Sequence, residues 1–341
     1  MNFRTLYTLA LLLETGTVSL AQSSGNPIIP LNLKSELRTT SAQFGSTFGR
    51  RCGESGSVYL RTAPHQGGAL SAPITRIDPT GSVQTINMAA VDGLCAAQMQ
   101  SFAVGANGAM FQVIGGYDHG SATEPRTYLV QFDKDGSVRS KTAFDVGGDF
   151  YVPAFIPLPS GDTFVIGQIE TKDSKSGKTL SRVLAGFFGP DGRLKRTVRR
   201  SAKAAYDPKG ELQDPELQNG EAQLGDDGRV YLMLASAKPR VKVINQSGEI
   251  EREFSLASPL PKSHSIGMLV SGGRLAIRWQ DDSEEPKEGA LALYSANTGD
   301  LLRTYREEYV GSPICFEDGK TLRILTVQKS GYWALGTAEV Q

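Results

Sequence analysis

The amino-acid sequence predicts an all-β fold, a six-bladed β-propeller with four-stranded blades. Two observations carry this prediction. Two kinds of glycine-marked turn alternate along the chain, and short runs of alternating apolar and polar residues flank these turns. Such runs are typical of half-buried strands. Four short strands repeated at intervals of about 40 to 55 residues are the signature of a propeller blade.

The first kind of turn predicts six units, because it recurs at six glycines: Gly56, Gly108, Gly161, Gly228, Gly273 and Gly319. The second kind lies between successive members of the first, at Gly81, Gly136, Gly192, Gly248 and Gly299. Each unit therefore carries two hairpins, except that the sixth has no residues left for its outermost strand. We expect residues 27–35, which contain two prolines, to supply this strand and close the ring, so that no sheet edge is left open there.

The first residues have the layout of a secretory signal. Arg4 precedes an apolar stretch at residues 6–13, and the small residues Ser19 and Ala21 suit cleavage after residue 21. The apolar stretch is much shorter than the 18 or more residues of a membrane span, and no later run is as long as a span. We expect a signal peptide at 1–21 and a single secreted or periplasmic propeller domain at 22–341, with an insertion at about 201–218 and no transmembrane segment.

Charge gives no indication of a nucleic-acid partner. Lys and Arg together number 36, as do Asp and Glu, so the chain has no net charge at neutral pH. The basic stretch from Arg193 to Arg200 is interpreted as the solvated edge of an outer strand, with a patch for an anionic ligand as the alternative. We expect a monomer.

Three cysteines, Cys52, Cys95 and Cys315, cannot all pair within one chain. One disulfide with one free thiol, or no disulfide, are the two options. Cys52 and Cys315 would lie in the adjoining first and last blades, near the same end of the inner strands, and are therefore a candidate pair.

One unit resembles a known repeat. Residues 226–235, DDGRVYLMLA, and residues 239–248, PRVKVINQSG, resemble an NHL-type repeat in their order of glycine turn, apolar strand, short loop, basic-apolar strand and second glycine turn. The Asp and Asn usual in the loop of that repeat are missing, and Ser236 and Lys238 stand in their neighbourhood. The resemblance implies a six-bladed propeller of the NHL/TolB-like group.

The loops that join second to third strands, and those that join one blade to the next, should emerge on one face of such a ring. We call this surface the loop face, and it is the predicted ligand-binding surface. Its candidate binding residues are His65, Asp118, His119, Asp149, Tyr151, His264 and Tyr309. Three histidines could bind a transition metal, but exposed polar loop residues are the more common explanation, and we predict no metal and no cofactor.

Catalytic motifs are missing from the sequence. It contains no GxSxG, HExxH, Walker or dinucleotide-binding pattern, so no catalytic residue is predicted. Calcium needs six to eight oxygen ligands, and Glu221 is the one carboxylate near the predicted starts of the inner strands. The sequence therefore favours a non-enzymatic module that binds a protein, peptide or glycan through its loop face. The alternative is a metal-dependent or acid-base hydrolase or lyase with its site in the axial funnel.

Overall fold

The computed structural model describes residues 28–33, 35–38, 47–53, 56–62, 73–105, 107–119, 125–172, 176–198, 220–234, 238–281, 289–307, 311–327 and 333–341. Within these ranges the chain consists of β-strands and turns. The expected signal peptide at 1–21, the insertion at 201–218, His65 and Tyr309 lie outside the described residues. None of the described residues belongs to a helix long and apolar enough to cross a membrane.

Six sheets follow one another along the chain. Two short strands precede them, β1 (Ile28–Leu31) and β2 (Ser35–Arg38). Blade one contains β3 to β6, at Thr47–Cys52, Val58–Thr62, Ile74–Ile77 and Val83–Ile86. Blade two contains β7 to β10, at Leu94–Val104, Met110–Asp118, Arg126–Phe132 and Val138–Ala143. Blade three contains β11 to β14, at Asp149–Pro157, Thr163–Lys172, Thr179–Phe188 and Leu194–Thr197.

The second half of the chain repeats this plan. Blade four contains β15 to β18, at Gly220–Leu224, Val230–Leu234, Arg240–Ile244 and Ile250–Ser255. Blade five contains β19 to β22, at Ser263–Ser271, Arg274–Asp281, Gly289–Ser295 and Leu301–Glu307. Blade six contains β23 to β25, at Gly311–Glu317, Thr321–Val327 and Trp333–Glu339.

The inner strands of the six blades form a closed ring. Strands β3, β7, β11, β15, β19 and β23 contact one another in this order, and β23 contacts β3 again. Each of these is the innermost strand of its blade, so the arrangement is a six-bladed β-propeller with four-stranded blades. This confirms the fold class predicted from the glycine turns.

The N-terminal strands close the ring in two places. Strand β2 pairs antiparallel with β25, from Ser35 opposite Thr337 to Arg38 opposite Ala334, and gives blade six its fourth strand. Strand β1 pairs parallel with β22 and becomes a fifth strand of blade five. The predicted closing segment, residues 27–35, is therefore displaced, because closure begins only at Ser35. The preceding residues fill an apolar gap between blades five and six, where Leu31 is buried.

All eleven turn glycines adopt positive φ, between 63° and 90°. The second kind of turn has a further constraint, seen at Gly136 and Gly192. A Cβ at Gly136 would collide with the carbonyl oxygen of Asn87, and one at Gly192 would collide with that of Ala143. Each of these oxygens belongs to the preceding blade or the connector that follows it. Only glycine lets the turn come this close, so these turns also join neighbouring blades.

An apolar cluster lies between each pair of neighbouring blades. Between blades three and four it includes Phe164 and Phe187, which are 0% and 1% exposed. Strands buried on both faces lose strict alternation, which explains why Phe164, Val165 and Ile166 are all buried. The apolar content of the second strands therefore positions one blade against the next.

Charged and sulfur-containing side chains complete the packing. In the predicted basic edge, Lys195 and Arg196 of β14 lie 2.7 Å and 3.3 Å from the carboxylate of Asp162 in the same blade. Cys52 and Cys315 form a disulfide with a Cα–Cα distance of 5.0 Å, which links blade one to blade six. Cys95 is free and half-buried.

Candidate functional site

The two ends of the propeller differ in how the chain turns. Hairpins with turn glycines occupy one end. The loop face occupies the other end, where every inner strand begins and every second strand ends. Residues at the starts of β11, β15, β19 and β23 therefore surround the loop-face mouth of the axial channel. The described candidate residues all belong to such strand ends.

Asp118 and His119 lie where β8 ends, in blade two. The Asp118 carboxylate is 3.9 Å from Arg126 Nη1, and both side chains are exposed. The His119 backbone N–H donates a hydrogen bond to the Gly93 carbonyl, 3.1 Å away. An exposed ion pair contributes about 0 to 1 kcal/mol, so these contacts shape the loop locally and leave both side chains accessible.

Asp149 and Tyr151 begin β11, the inner strand of blade three. Their neighbours Phe150 and Val152 are buried in the apolar cluster between blades two and three, whereas Asp149 is exposed and Tyr151 is 53% exposed. Strand β11 also contacts β8 and β9 of blade two. The structure therefore places Asp149 and Tyr151 beside blade two, on the side of the ring that carries Asp118.

His264 is half-buried at the start of β19, in blade five. Blades two and five lie on opposite sides of a six-bladed ring, so His264 and His119 lie on opposite sides of the loop face. The described residues contain no group of three or more His, Cys, Asp or Glu side chains arranged to hold a metal ion. His65 and Tyr309 lie outside the described ranges.

An arginine and a glutamate from opposite blades interact electrostatically. The Arg51 Nε, in blade one, donates a 2.8 Å hydrogen bond to the Phe102 carbonyl of blade two. Burial lowers the pKa of Arg51, and the charge of Glu221 in blade four acts in the opposite direction. Arg51 nevertheless keeps an exposed surface, as expected for a side chain inside a solvent-accessible channel. The two charges therefore interact across the axis.

Glu221 is the second residue of β15 and lies level with Met268, the sixth of the nine residues of β19. Burial raises its pKa to about 7, and three weaker effects oppose this: a hydrogen bond from the Met268 backbone N–H, the charge of Arg51 and a hydrogen bond with the Gln223 side chain. The Met268 nitrogen is 2.9 Å from Glu221 Oε2. A carboxyl group with a pKa near neutrality in a cleft is a feature of functional sites, although structural networks produce it too.

A cavity of about 140 Å³ opens beside Glu221, and we call it the axial pocket. Its walls come from blades four, five and six: Glu221, Ile266, Gly267, Met268, Leu269, Ala276, Arg278, Leu291, Ser312 and Pro313. The Arg278 Nε donates to both carboxylate oxygens of Glu307, at 3.1 Å and 2.9 Å. Its Nη1 donates to Ser312 Oγ at 3.2 Å. The pocket is thus largely apolar, with one acid at its axial end and one paired arginine in its wall.

A larger cavity of about 490 Å³ lies between blades four and five on the hairpin face. Its charged groups bind one another: Asp226 accepts hydrogen bonds from Ser271 Oγ and the Gly272 N–H, and Arg229 Nε lies 2.6 Å from Glu251. The Asp226 contacts join the turns of the two blades, whereas the Arg229–Glu251 pair lies within blade four. We attribute this cavity to blade packing.

The sequence pointed to Glu221 only as an isolated carboxylate and did not point to Arg51 or Arg278. A usable signal existed for Arg51. Counting back from the Gly56 turn places Arg51 in the inner strand, beside Cys52, where a charged residue must face the channel or a partner. Nothing comparable marks Arg278, because its role depends on Glu307, a residue two strands away.

Several solved structures resemble this chain over most of its length, at low sequence identity. A protein of unknown function from Bacteroides caccae is 14% identical over 76% of this chain and 81% of its own, with a TM-score of 0.44. A luciferin-regenerating enzyme is 9% identical over 90% of this chain and 95% of its own, with a TM-score of 0.46. Hydrazine synthase from Kuenenia stuttgartiensis is 13% identical over 86% of this chain and 76% of its own, with a TM-score of 0.43. No protein-family profile matches the chain. No curated protein matches it either. At these identities and scores the similarities assign no activity to it.

Proposed function

We propose that this protein is an exported β-propeller of the NHL/TolB-like group that binds a protein, peptide or glycan at the loop-face mouth of its channel. The observation that carries the proposal is the exposure of Tyr151. It stands on an inner strand, between two buried residues, yet 53% of it is accessible. An accessible tyrosine costs little entropy to immobilise and presents both a ring and a hydroxyl, which favours it at binding surfaces.

Neighbouring features support the same surface. Ile266 on β19 is 39% exposed and lines the axial pocket, so a second apolar side chain faces solvent near the mouth. Asp149 and His264 add polar groups at the starts of two inner strands. A mixed surface of this kind, with an apolar centre and a polar surround, is typical of protein interfaces.

Export is supported by two independent features. The layout of residues 1–21 is that of a signal peptide. The Cys52–Cys315 disulfide is of a kind that persists in oxidising compartments and is rare in the reducing cytosol. We therefore propose a secreted or periplasmic location.

A hydrolase or lyase is the second candidate, and Glu221 favours it. A pKa of about 7 suits a general acid or base at neutral pH. Among the described residues, however, no metal cluster accompanies Glu221, and its hydrogen-bond partners are a backbone amide and Gln223. Such partners supply no nucleophile, so binding remains the preferred function.

The test begins with peptide and glycan arrays probed with the full-length mature protein. For any ligand found, the double variant Tyr151→Ala/His264→Ala should weaken affinity about tenfold or more, because it removes the proposed aromatic anchor and one polar contact of the surface. Its melting temperature should change little, because both side chains keep solvent-exposed surface. Val83→Ala is the matched control, since Val83 is 40% exposed on the outer strand of blade one.

Two results would reject this function. One is full retention of ligand affinity by the double variant. The other is catalytic turnover, in a screen of hydrolase and lyase substrates, that disappears in Glu221→Gln.

A further inference from the structure

The Glu221 carboxyl group lines the axial pocket, and Arg51 attracts it from the opposite side of the channel. Among the described residues, no Lys, Arg or His nitrogen forms an ion pair with it, and it accepts a hydrogen bond from the Met268 N–H. Buried carboxylates are almost always paired with a cation or a metal. A half-buried carboxylate that faces a cavity and has no cation within ion-pair distance can therefore bind a positive group.

The other charged groups around the pocket do not fill this role. Arg278 is held by both oxygens of Glu307 and by Ser312, so its charge is already balanced. Arg51 attracts Glu221 from the opposite side of the channel, but its Nε is bound to the Phe102 carbonyl. His264 begins the neighbouring strand β19 and is half-buried. The pocket thus retains one acid for an incoming group.

The shape of the pocket restricts that group. A volume of 140 Å³ holds about four or five water molecules at roughly 30 Å³ each, and it is below the 300 to 1,000 Å³ usual for a complete small ligand. Its walls include Ile266, Met268, Leu269, Ala276 and Leu291. An unbranched alkyl chain that ends in a positive charge matches both the small volume and the apolar walls.

We propose that the axial pocket is a subsite for a lysine side chain of a protein or peptide ligand. The lysine ammonium would bind the Glu221 carboxylate, and its four methylenes would lie along the apolar wall. The inference rests on the proposed binding function and makes it specific.

Lysine fits this site better than arginine or an amino sugar. A guanidinium binds best when it forms two parallel hydrogen bonds to both carboxylate oxygens, and Glu221 Oε2 already accepts the Met268 N–H at 2.9 Å. An ammonium has three rotatable donors and needs no such fork. A sugar ring is too bulky for a cavity of 140 Å³.

The experiment uses the full-length mature protein and capped amino acids as probes. N-acetyl-lysine methylamide is titrated by NMR at pH 8.5, where Glu221 is ionised, and is compared with capped arginine, capped norleucine and glucosamine. We expect capped lysine to bind at least about tenfold more tightly than the other three, since an unmatched charge or a missing one costs about that factor.

Three variants make the test specific. Glu221→Gln should weaken the binding of capped lysine by about tenfold or more. Glu170→Gln is the matched control, because Glu170 is an exposed acid near the loop-face end of β12 and should have no effect. Gly267→Leu should block the pocket, since a Cβ at Gly267 has only Glu221 Oε2 nearby, at 4.0 Å.

The pH provides a further readout. An ammonium binds the ionised carboxylate, so binding at pH 5.5 must displace the Glu221 proton and should be about tenfold weaker than at pH 8.5. Three results would overturn the proposal: capped lysine binding equally well at both pH values, Glu221→Gln binding capped lysine as tightly as the wild type does, or capped norleucine binding as tightly as capped lysine. A preference for arginine or glucosamine would overturn it as well. If a ligand found on the arrays kept its affinity for Glu221→Gln but lost affinity for the Tyr151 variant, the lysine subsite would be rejected and the proposed binding function would remain.

Discussion

The boundary between blades three and four and the boundary between blades six and one are closed by different means. Between three and four, Phe164 and Phe187 form part of a continuous apolar cluster. Between six and one, the described cluster is aliphatic, with Val58 and Leu60 among its members, and a disulfide crosses it. Apolar packing holds the first boundary, whereas the boundary at which the first and last blades meet has a covalent link as well.

The largest effect should come from removing the strands that close the ring. Deletion of residues 28–38 takes away β1 and β2 and exposes the outer edge of β25 and the apolar surface that Leu31 covers. We expect loss of the cooperative thermal transition or a large fall in melting temperature, measured by circular dichroism. An unchanged melting temperature would mean that the ring does not depend on these strands.

Phe164→Ala should weaken the apolar boundary by about 3 to 5 kcal/mol of unfolding free energy, the usual effect of truncating a buried phenylalanine. Phe164 is 0% exposed. Urea unfolding measures the loss, and Leu180→Ala in the same blade is the control, because Leu180 is 58% exposed. If both variants lost the same small amount, the apolar cluster would not be what holds blades three and four together.

Removal of the disulfide should cost somewhat less. Cys52→Ser/Cys315→Ser frees a loop with a sequence separation of 263 residues, and native disulfides typically contribute about 2 to 4 kcal/mol. Cys95→Ser provides the control, because Cys95 is unpaired. The measurement is urea unfolding without reductant. A loss equal to that of Cys95→Ser would show that the strands alone hold the boundary of blades six and one.

The boundary between blades four and five contains a polar contact, the hydrogen bond from the Met268 N–H to Glu221. The pH dependence of stability tests the contribution of Glu221. Its pKa is raised from 4.5 to about 7 in the folded state, so folding favours the protonated form. The resulting stability is fully present below pH 4.5 and is lost as the pH rises through 7. Because one pKa unit corresponds to about 1.4 kcal/mol, the ionisation of Glu221 lowers the free energy of unfolding by at most about 3 kcal/mol.

The measurement compares wild type with Glu221→Gln at pH 5 and pH 8. We expect the wild type to lose more unfolding free energy between these values than the variant, by about 1 to 3 kcal/mol. Parallel pH profiles would mean that Glu221 is solvated and ionises normally.

The hairpin face could be predicted from sequence, whereas the axial pocket could not. A turn such as the one at Gly228 depends on the backbone conformation of a few adjacent residues, and glycine is the residue that such a turn selects. The surroundings of Glu221 come from β3, β15 and β19, which meet only after the ring has closed. The sequence predicted that Tyr151 and His264 lie on the loop face. That these two residues lie on different sides of the channel depends on the geometry of the blades.

The closing segment shows the same limit. The missing strand of blade six could be inferred because the last unit lacked residues for it. Which N-terminal residues supply it depends on how Leu31 packs between blades five and six, and that contact involves side chains far away in the sequence.

The second kind of glycine turn also bears on the order in which the blades form. Gly136 and Gly192 accept hydrogen bonds from Ala89 and Asp145 in the connectors that precede their blades, at 2.8 Å and 2.9 Å. Contacts between neighbouring units form sooner than contacts between distant parts of a chain. We therefore expect folding to proceed blade by blade, with the two ends meeting last and limiting the rate. Pulsed hydrogen exchange during refolding would contradict this order if β3 and β23 became protected first.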